Sequence, residues 1–232
     1  MPLFSTGAGG WRGLIGIDLD TEPGPYPIVM RAGADDAAVT HVLDVAAKQF
    51  TVRRLRVAGR FVDPPATVTE RIVREAALLD GIFSTISPPV PTQPFQLPVS
   101  QKAISNFGTR SVFNGKPRSP HGGVDFASPA GTPIEAPAAG RIALAMPLYF
   151  TGNTVVMDHG QGIYSLFAHL SKIAVKIDEQ VEPGAIVGLV GATGRVTGPH
   201  LHWTVRLRGA RVDPLSLVAA TNSSPRAVVG PP

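Results

Sequence analysis

Hydrophobic and polar positions fall into two textures along the chain. From about residue 99 to residue 217, short apolar-rich runs (140–145, 154–157, 163–169, 186–190 and 201–207) are separated by glycine turns. Asp158-His159-Gly160-Gln161-Gly162, between two of these runs, is a hairpin signal. Such spacing predicts an antiparallel all-β domain of roughly 120 residues. The first sixty residues also read as short strands, over 11–19 (Leu14, Ile17, Leu19), 26–30, 42–45 and 50–57, and predict a small β-rich module with a modest core. Between the two lies the clearest helix. Pro64-Pro65 ends an extended segment, Thr67 and Glu70 have capping-box spacing, and Ile72, Val73, Ala76 and Leu79 precede a stop at Gly81. Pro88, Pro89, Pro91, Pro94 and Pro98 then stiffen an extended linker. The predicted fold is all-β in two modules with one linking helix: an N-terminal module over 1–65, helix and Pro-rich linker over 66–98, an antiparallel β-sheet domain over 99–218, and a fraying tail over 219–232.

Apolar residues make up 44% of the 232, enough to bury a core, and charged residues only 16%, which favours a turn-rich β fold over a charged helical bundle. The absence of cysteine excludes thiolate zinc fingers, iron–sulfur clusters, a cysteine nucleophile and disulfides. The net charge of +4 is a mild basic bias. Its densest patch, Arg53-Arg54-Leu55-Arg56, is interrupted, so no nucleic-acid partner is expected. No apolar stretch approaches the roughly 18 residues of a membrane span, so no transmembrane segment is expected. The first residues lack the basic head and apolar middle of a secretion signal, which leaves a cytosolic protein or one whose signal has been removed.

Candidate chemistry sits in the histidines. His200-Leu201-His202 opens an apolar run after a glycine turn, and in a strand its two imidazoles share a face, about 6–7 Å apart. Leu201 points the other way, toward a core. His169 ends its run on the face of Ile163, Ser165 and Phe167, at the edge of a cleft. His121-Gly122-Gly123-Val124-Asp125 would hold its two polar ends about 13 Å apart in a rigid strand, but two glycines let the segment curl and aim both at one point. His121, Asp125 and one of His200 and His202 then form a His₂Asp set for zinc, with a fourth tetrahedral position open to water. His159 reads as a solvated turn residue and His41 as surface.

These residues resemble the lysostaphin-type zinc metallopeptidases, which cut peptidoglycan. His121-x-x-x-Asp125, Ala168-His169-Leu170 and His200-Leu201-His202 carry the resemblance, with the stretch 123–133 (GVDFASPAGTP) and Gly191-Ala192-Thr193-Gly194 ahead of Gly198-Pro199 as supporting text. It covers about residues 99 to 217. The resemblance implies that His121, Asp125 and His202 hold one Zn²⁺, while His169 and His200 flank a metal-bound water that acts as nucleophile. One of these two would take the water's proton and pass it to the leaving amine, the other orient the water or meet the oxyanion; the sequence does not assign which. The implied protein is a zinc metalloendopeptidase hydrolysing amide bonds in peptidoglycan stem peptides or cross-links, in the periplasm or cell envelope after removal of a signal. No glutamate stands near the histidines, and Asp158, Asp178 and Glu179 read as turn and surface residues. The alternative is a non-catalytic wall-binding or hydrolase-activating protein of the same fold, against which the intact ligand set argues. The Pro-rich linker adds the expectation of a regulatory contact, with the N-terminal module lying across the groove.

Overall fold

The computed structural model describes residues 1–5, 11–31, 37–90 and 94–223. Its centre is an antiparallel sheet of eight strands. Seven run in the order Gln180–Val181, Gly140–Leu148, Gly152–Asp158, Ile163–Leu170, Leu201–Leu207, Val124–Phe126 and Ala103–Ser105, and Ala210–Val212 adds to Leu201–Leu207. Alternation along Leu201–Leu207 decides what each face does. Leu201, Trp203, Val205 and Leu207 are buried on one side, and His202, Thr204 and Arg206 stand on the other.

The first face packs with Ile134 and Val187 from a small three-stranded sheet (Pro133–Glu135, Ile186–Leu189, Lys172–Ile173), and with Phe95 and Leu217. The second face is covered at one end by the helix Thr69–Ser84, whose Phe83 meets Tyr164 edge-on at 5.6 Å between ring centres. Arg206 lays its guanidinium over Phe83 at 5.2 Å. His202 stands further along this same face.

The all-β fold expected from the sequence is the one observed, with local differences. The capping box does not form. A 3₁₀ turn over Ala66–Val68 precedes the helix, no side chain caps its first residue, and Glu70 pairs with Arg74 instead. Gly81 does not stop the helix, which runs on to Ser84. A glycine inside a helix costs about 1 kcal/mol, less than is gained by packing Leu79, Ile82 and Phe83 on the sheet.

Among the described residues the N-terminal strands form two small two-stranded sheets, and a further strand joins the β domain. Leu3–Ser5 pairs with Trp11–Gly13, Gly24–Met30 pairs with Val39–Val45, and Val52–Leu55 runs parallel to Arg110–Phe113. The strand expected over 11–19 is confined to Trp11–Gly13; beyond it Leu14 packs on the core and Asp18 pairs with Arg211 at 2.6 Å. The Pro-rich stretch lies along the β domain rather than free of it. Ser87 Oγ donates to Asp158 Oδ1 (2.8 Å), Gln96 N–H to Pro137 O (2.9 Å), and Phe95 is 1% exposed. Pro91 lies outside the described residues. A helix capped by Asp213 spans Pro214–Asn222, four residues into the expected tail, and residues 224–232 of that tail lie outside the described residues. No described helix is long and apolar enough to cross a membrane.

Candidate metal centre

Three stretches converge where the second sheet face is left open. Asp125 and His202 are direct cross-strand partners, and His202 Nδ1 lies 2.8 Å from Asp125 Oδ1. His121 arrives from outside the strand. Its backbone N–H donates to Thr109 O and its carbonyl accepts from Gly108, which holds the curl that the two glycines allow. Gly123 is required for a second reason: a Cβ there would meet Trp203 O at 2.3 Å. The curl brings His121 Nε2 to 2.9 Å from Asp125 Oδ1 and 3.0 Å from His202 Nδ1.

His169 reaches the site by breaking its strand's alternation. Ile163, Ser165 and Phe167 face the core opposite Leu207, Val205 and Trp203, so regular pleating would bury His169 there too. That sequence expectation is corrected by the backbone. His169 has φ 68°, and the register with the neighbouring strand shifts between Asn153 and Val155. The left-handed residue turns the ring to the His202 side, 4.9 Å from the His200 ring and 6.0 Å from that of His202, and returns Leu170 to the core. A non-glycine residue in this region carries a strain of about 1–2 kcal/mol. His200, bridged to Gly191, shares the face of His202 as its spacing predicts.

Hydrogen bonds fix what each ring offers. His169 Nδ1–H donates to Thr193 O (2.8 Å) and His200 Nδ1–H to Gly198 O (2.9 Å), so each neutral ring keeps a bare Nε2. Burial, then the neighbouring His202 and His200, pushes His169 down to about 3, so it is neutral at physiological pH. Burial also lowers His202. At Asp125 burial pushes upward, but hydrogen bonds with His121 and His202 outweigh it and hold the carboxyl well below the usual range. His121 Nδ1 faces Asn106 O (3.2 Å), where it must donate. His121 Nε2, Asp125 Oδ1 and His202 Nδ1 thus converge on one point. A cation at that point would have all three atoms as ligands. Two imidazoles and a carboxylate oxygen suit a divalent transition metal, and Thr204 Oγ1, 2.9 Å from His202 Nε2, and Asn106 O hold the ligand rings from behind.

The five residues singled out in the sequence are thus together, lining a groove of about 540 Å³. His159 is not the solvated residue expected. It is 1% exposed, bonded to Ala139 O (2.8 Å) and Ser165 Oγ (2.9 Å) and lowered by burial to about 4. His41 is exposed as expected. Asp158, expected at the surface, is buried and accepts from Ser87 and Gly160, while Asp178 pairs with Arg141 and Glu179 bonds Lys176 N–H; none of the three lines the groove. Sequence reasoning missed Arg53. Its Nε donates to Ser111 Oγ (3.0 Å) and its Nη1 to Asp125 Oδ2 (3.2 Å), leaving Oδ1 to the histidines. No local pattern foretells this, because it depends on the parallel pairing of Arg53 with Ser111.

The profile of peptidase family M23 matches residues 119–214. A crystal structure from Pseudomonas aeruginosa, described as a peptidase M23, is 39% identical, covers 94% of this chain and 83% of its own, and superposes with a TM-score of 0.75. The chain belongs to peptidase family M23. Among M23 relatives, the peptidoglycan DD-endopeptidase ShyA of Vibrio cholerae is 43% identical over 110 residues, 47% of this chain and 26% of that protein. A zinc-containing peptidase from Vibrio cholerae is 33% identical with a TM-score of 0.51, covering 57% of this chain and 41% of its own. The chain spans about a quarter of the length of the curated relatives it matches. All five site residues lie within the M23 match, and Arg53 lies outside it.

Proposed function

We propose that this chain is a zinc-dependent endopeptidase that hydrolyses amide bonds in peptidoglycan stem peptides or cross-links, acting in the periplasm or cell envelope. The observation that carries this reading is the meeting of a three-atom ligand set with two further imidazoles whose Nε2 lone pairs are free. Zinc held by His121, Asp125 and His202 supplies a Lewis acid that polarises a carbonyl and acidifies bound water. His169 and His200 then divide the proton work. Each is held in one tautomer by a backbone carbonyl, so one can accept a proton and return it to a leaving amine while the other meets developing charge.

Zinc content per chain and mass spectrometry of products from purified sacculi test the reading together. One zinc per chain and muropeptides with newly freed peptide termini are expected. A chain that holds zinc, binds sacculi and releases nothing would favour the non-catalytic wall-binding alternative.

The N-terminal residues enter this reading as groove wall rather than as a plug. Arg53, Leu55 and Val57 line the groove, and Arg53 orients the ligand carboxylate. Arg53→Ala is therefore expected to weaken zinc binding about 10–100-fold, the usual effect of removing a residue that holds a ligand in place. Competition with a chromophoric chelator measures this, and unchanged affinity would refute the role.

A further inference from the structure

The groove beside the metal centre carries more positive charge than the centre uses. Arg118 and Arg195 both line it, and among the described residues Asp125, already engaged by Arg53, His121 and His202, is the one acidic residue in its wall. Among the described residues neither Arg118 nor Arg195 has an acidic partner. Arg195 is built into place nonetheless. Its guanidinium lies over Phe150 at 4.7 Å and Phe113 at 5.3 Å, and its backbone N–H donates to Phe150 O. Arg118 is anchored through Nη2 to Val62 O. Burial, then the charge of Arg118, lowers Arg195, so two guanidiniums are held near each other at an uncompensated cost. The segment that carries Arg195 also supplies Thr193 O to His169 and ends in His200. The excess charge therefore sits beside the two rings assigned to proton transfer.

We propose that Arg195, with Arg118 beside it, forms a subsite for a free carboxylate of the peptide substrate, so that the groove selects peptides with an unamidated carboxylate near the scissile amide. This rests on the hydrolase reading above. Two aromatic rings packed against the guanidinium hold it in place, which leaves its N–H edge to make paired hydrogen bonds with a carboxylate. The bound carboxylate cancels the repulsion between the two arginines.

The test uses the full zinc-loaded chain and cross-linked muropeptide dimers, either native or with their carboxylates converted to amides by carbodiimide and ammonia. The native dimer should show a kcat/KM at least about tenfold higher, mainly through KM, with the preference shrinking as salt rises. Arg195→Gln should bring the ratio of the two kcat/KM values close to one, and Arg195→Lys should keep part of it. Arg118→Gln should also lower the ratio, and it serves if the Arg195 variants do not fold. Equal cleavage of the two dimers by the unaltered chain, or an undiminished ratio in the folded variants, would overturn the subsite. If neither dimer is cleaved, the hydrolase reading fails, and calorimetric binding of the two dimers then decides the subsite by itself.

Discussion

Replacing His202 with alanine is expected to remove zinc and activity together. His202 Nδ1 stands 2.8 Å from Asp125 Oδ1 and 3.0 Å from His121 Nε2, so the substitution takes away one of three converging donors. Changing a residue that merely supports a ligand typically weakens metal binding 10–100-fold, so losing the ligand itself should exceed about 100-fold. The sheet should survive. The ring lies on the open face, whereas Leu201 and Trp203 on either side are fully buried on the other. Zinc per chain after dialysis, with circular dichroism as a control for folding, reads the result. A folded His202→Ala protein with undiminished zinc affinity would remove the ligand assignment.

His169→Ala should behave differently: zinc stays and turnover falls. His169 makes none of the close contacts among the three converging atoms, and its Nδ1–H is committed to Thr193 O. Its contribution is the free Nε2, and removing a general acid or base typically costs about 10²–10⁴-fold in rate. Because residue 169 sits at φ 68°, alanine inherits the backbone strain and glycine does not. His169→Gly should therefore be the more stable of the two variants by up to about 1 kcal/mol, with the same loss of turnover. Chemical denaturation and rate measurements on both variants separate the backbone effect from the chemical one. Wild-type turnover in either variant, or loss of zinc from both, would exclude a proton-transfer role.

The contrast between these two histidines shows how far the sequence could be read. His200 and His202 were legible because a regular strand places every second residue on one face, and Leu201–Leu207 is regular throughout. The convergence of His121 with Asp125 was legible as well, since paired glycines release the chain from a straight path. For His169 the strand period predicts the wrong face, because a left-handed residue beside a register shift leaves no mark in the apolar pattern. His159 was misjudged for a related reason. The hairpin is legible, but the ring folds back onto Ser165 Oγ of its own hairpin and onto Ala139 O, 20 positions away, which the turn residues do not encode. Thr67 and Glu70 have the spacing of a cap, yet Thr67 falls inside the preceding 3₁₀ turn and the helix starts after it, at Thr69. In the sequence Arg53 reads only as part of a basic patch. Its contact with Asp125 spans 72 positions and rests on parallel strand pairing, which periodicity does not encode.

That pairing also bears on anyone seeking a smaller lytic fragment. Excision at residue 99 looks natural, since it spares every histidine of the centre. It would strip Arg110–Phe113 of its parallel neighbour and leave a naked strand edge, which invites copies to stick together. It would also let one oxygen of Asp125 swing loose. A cut placed upstream of residue 50 would keep both the strand and its guanidinium, and should yield the better-behaved product.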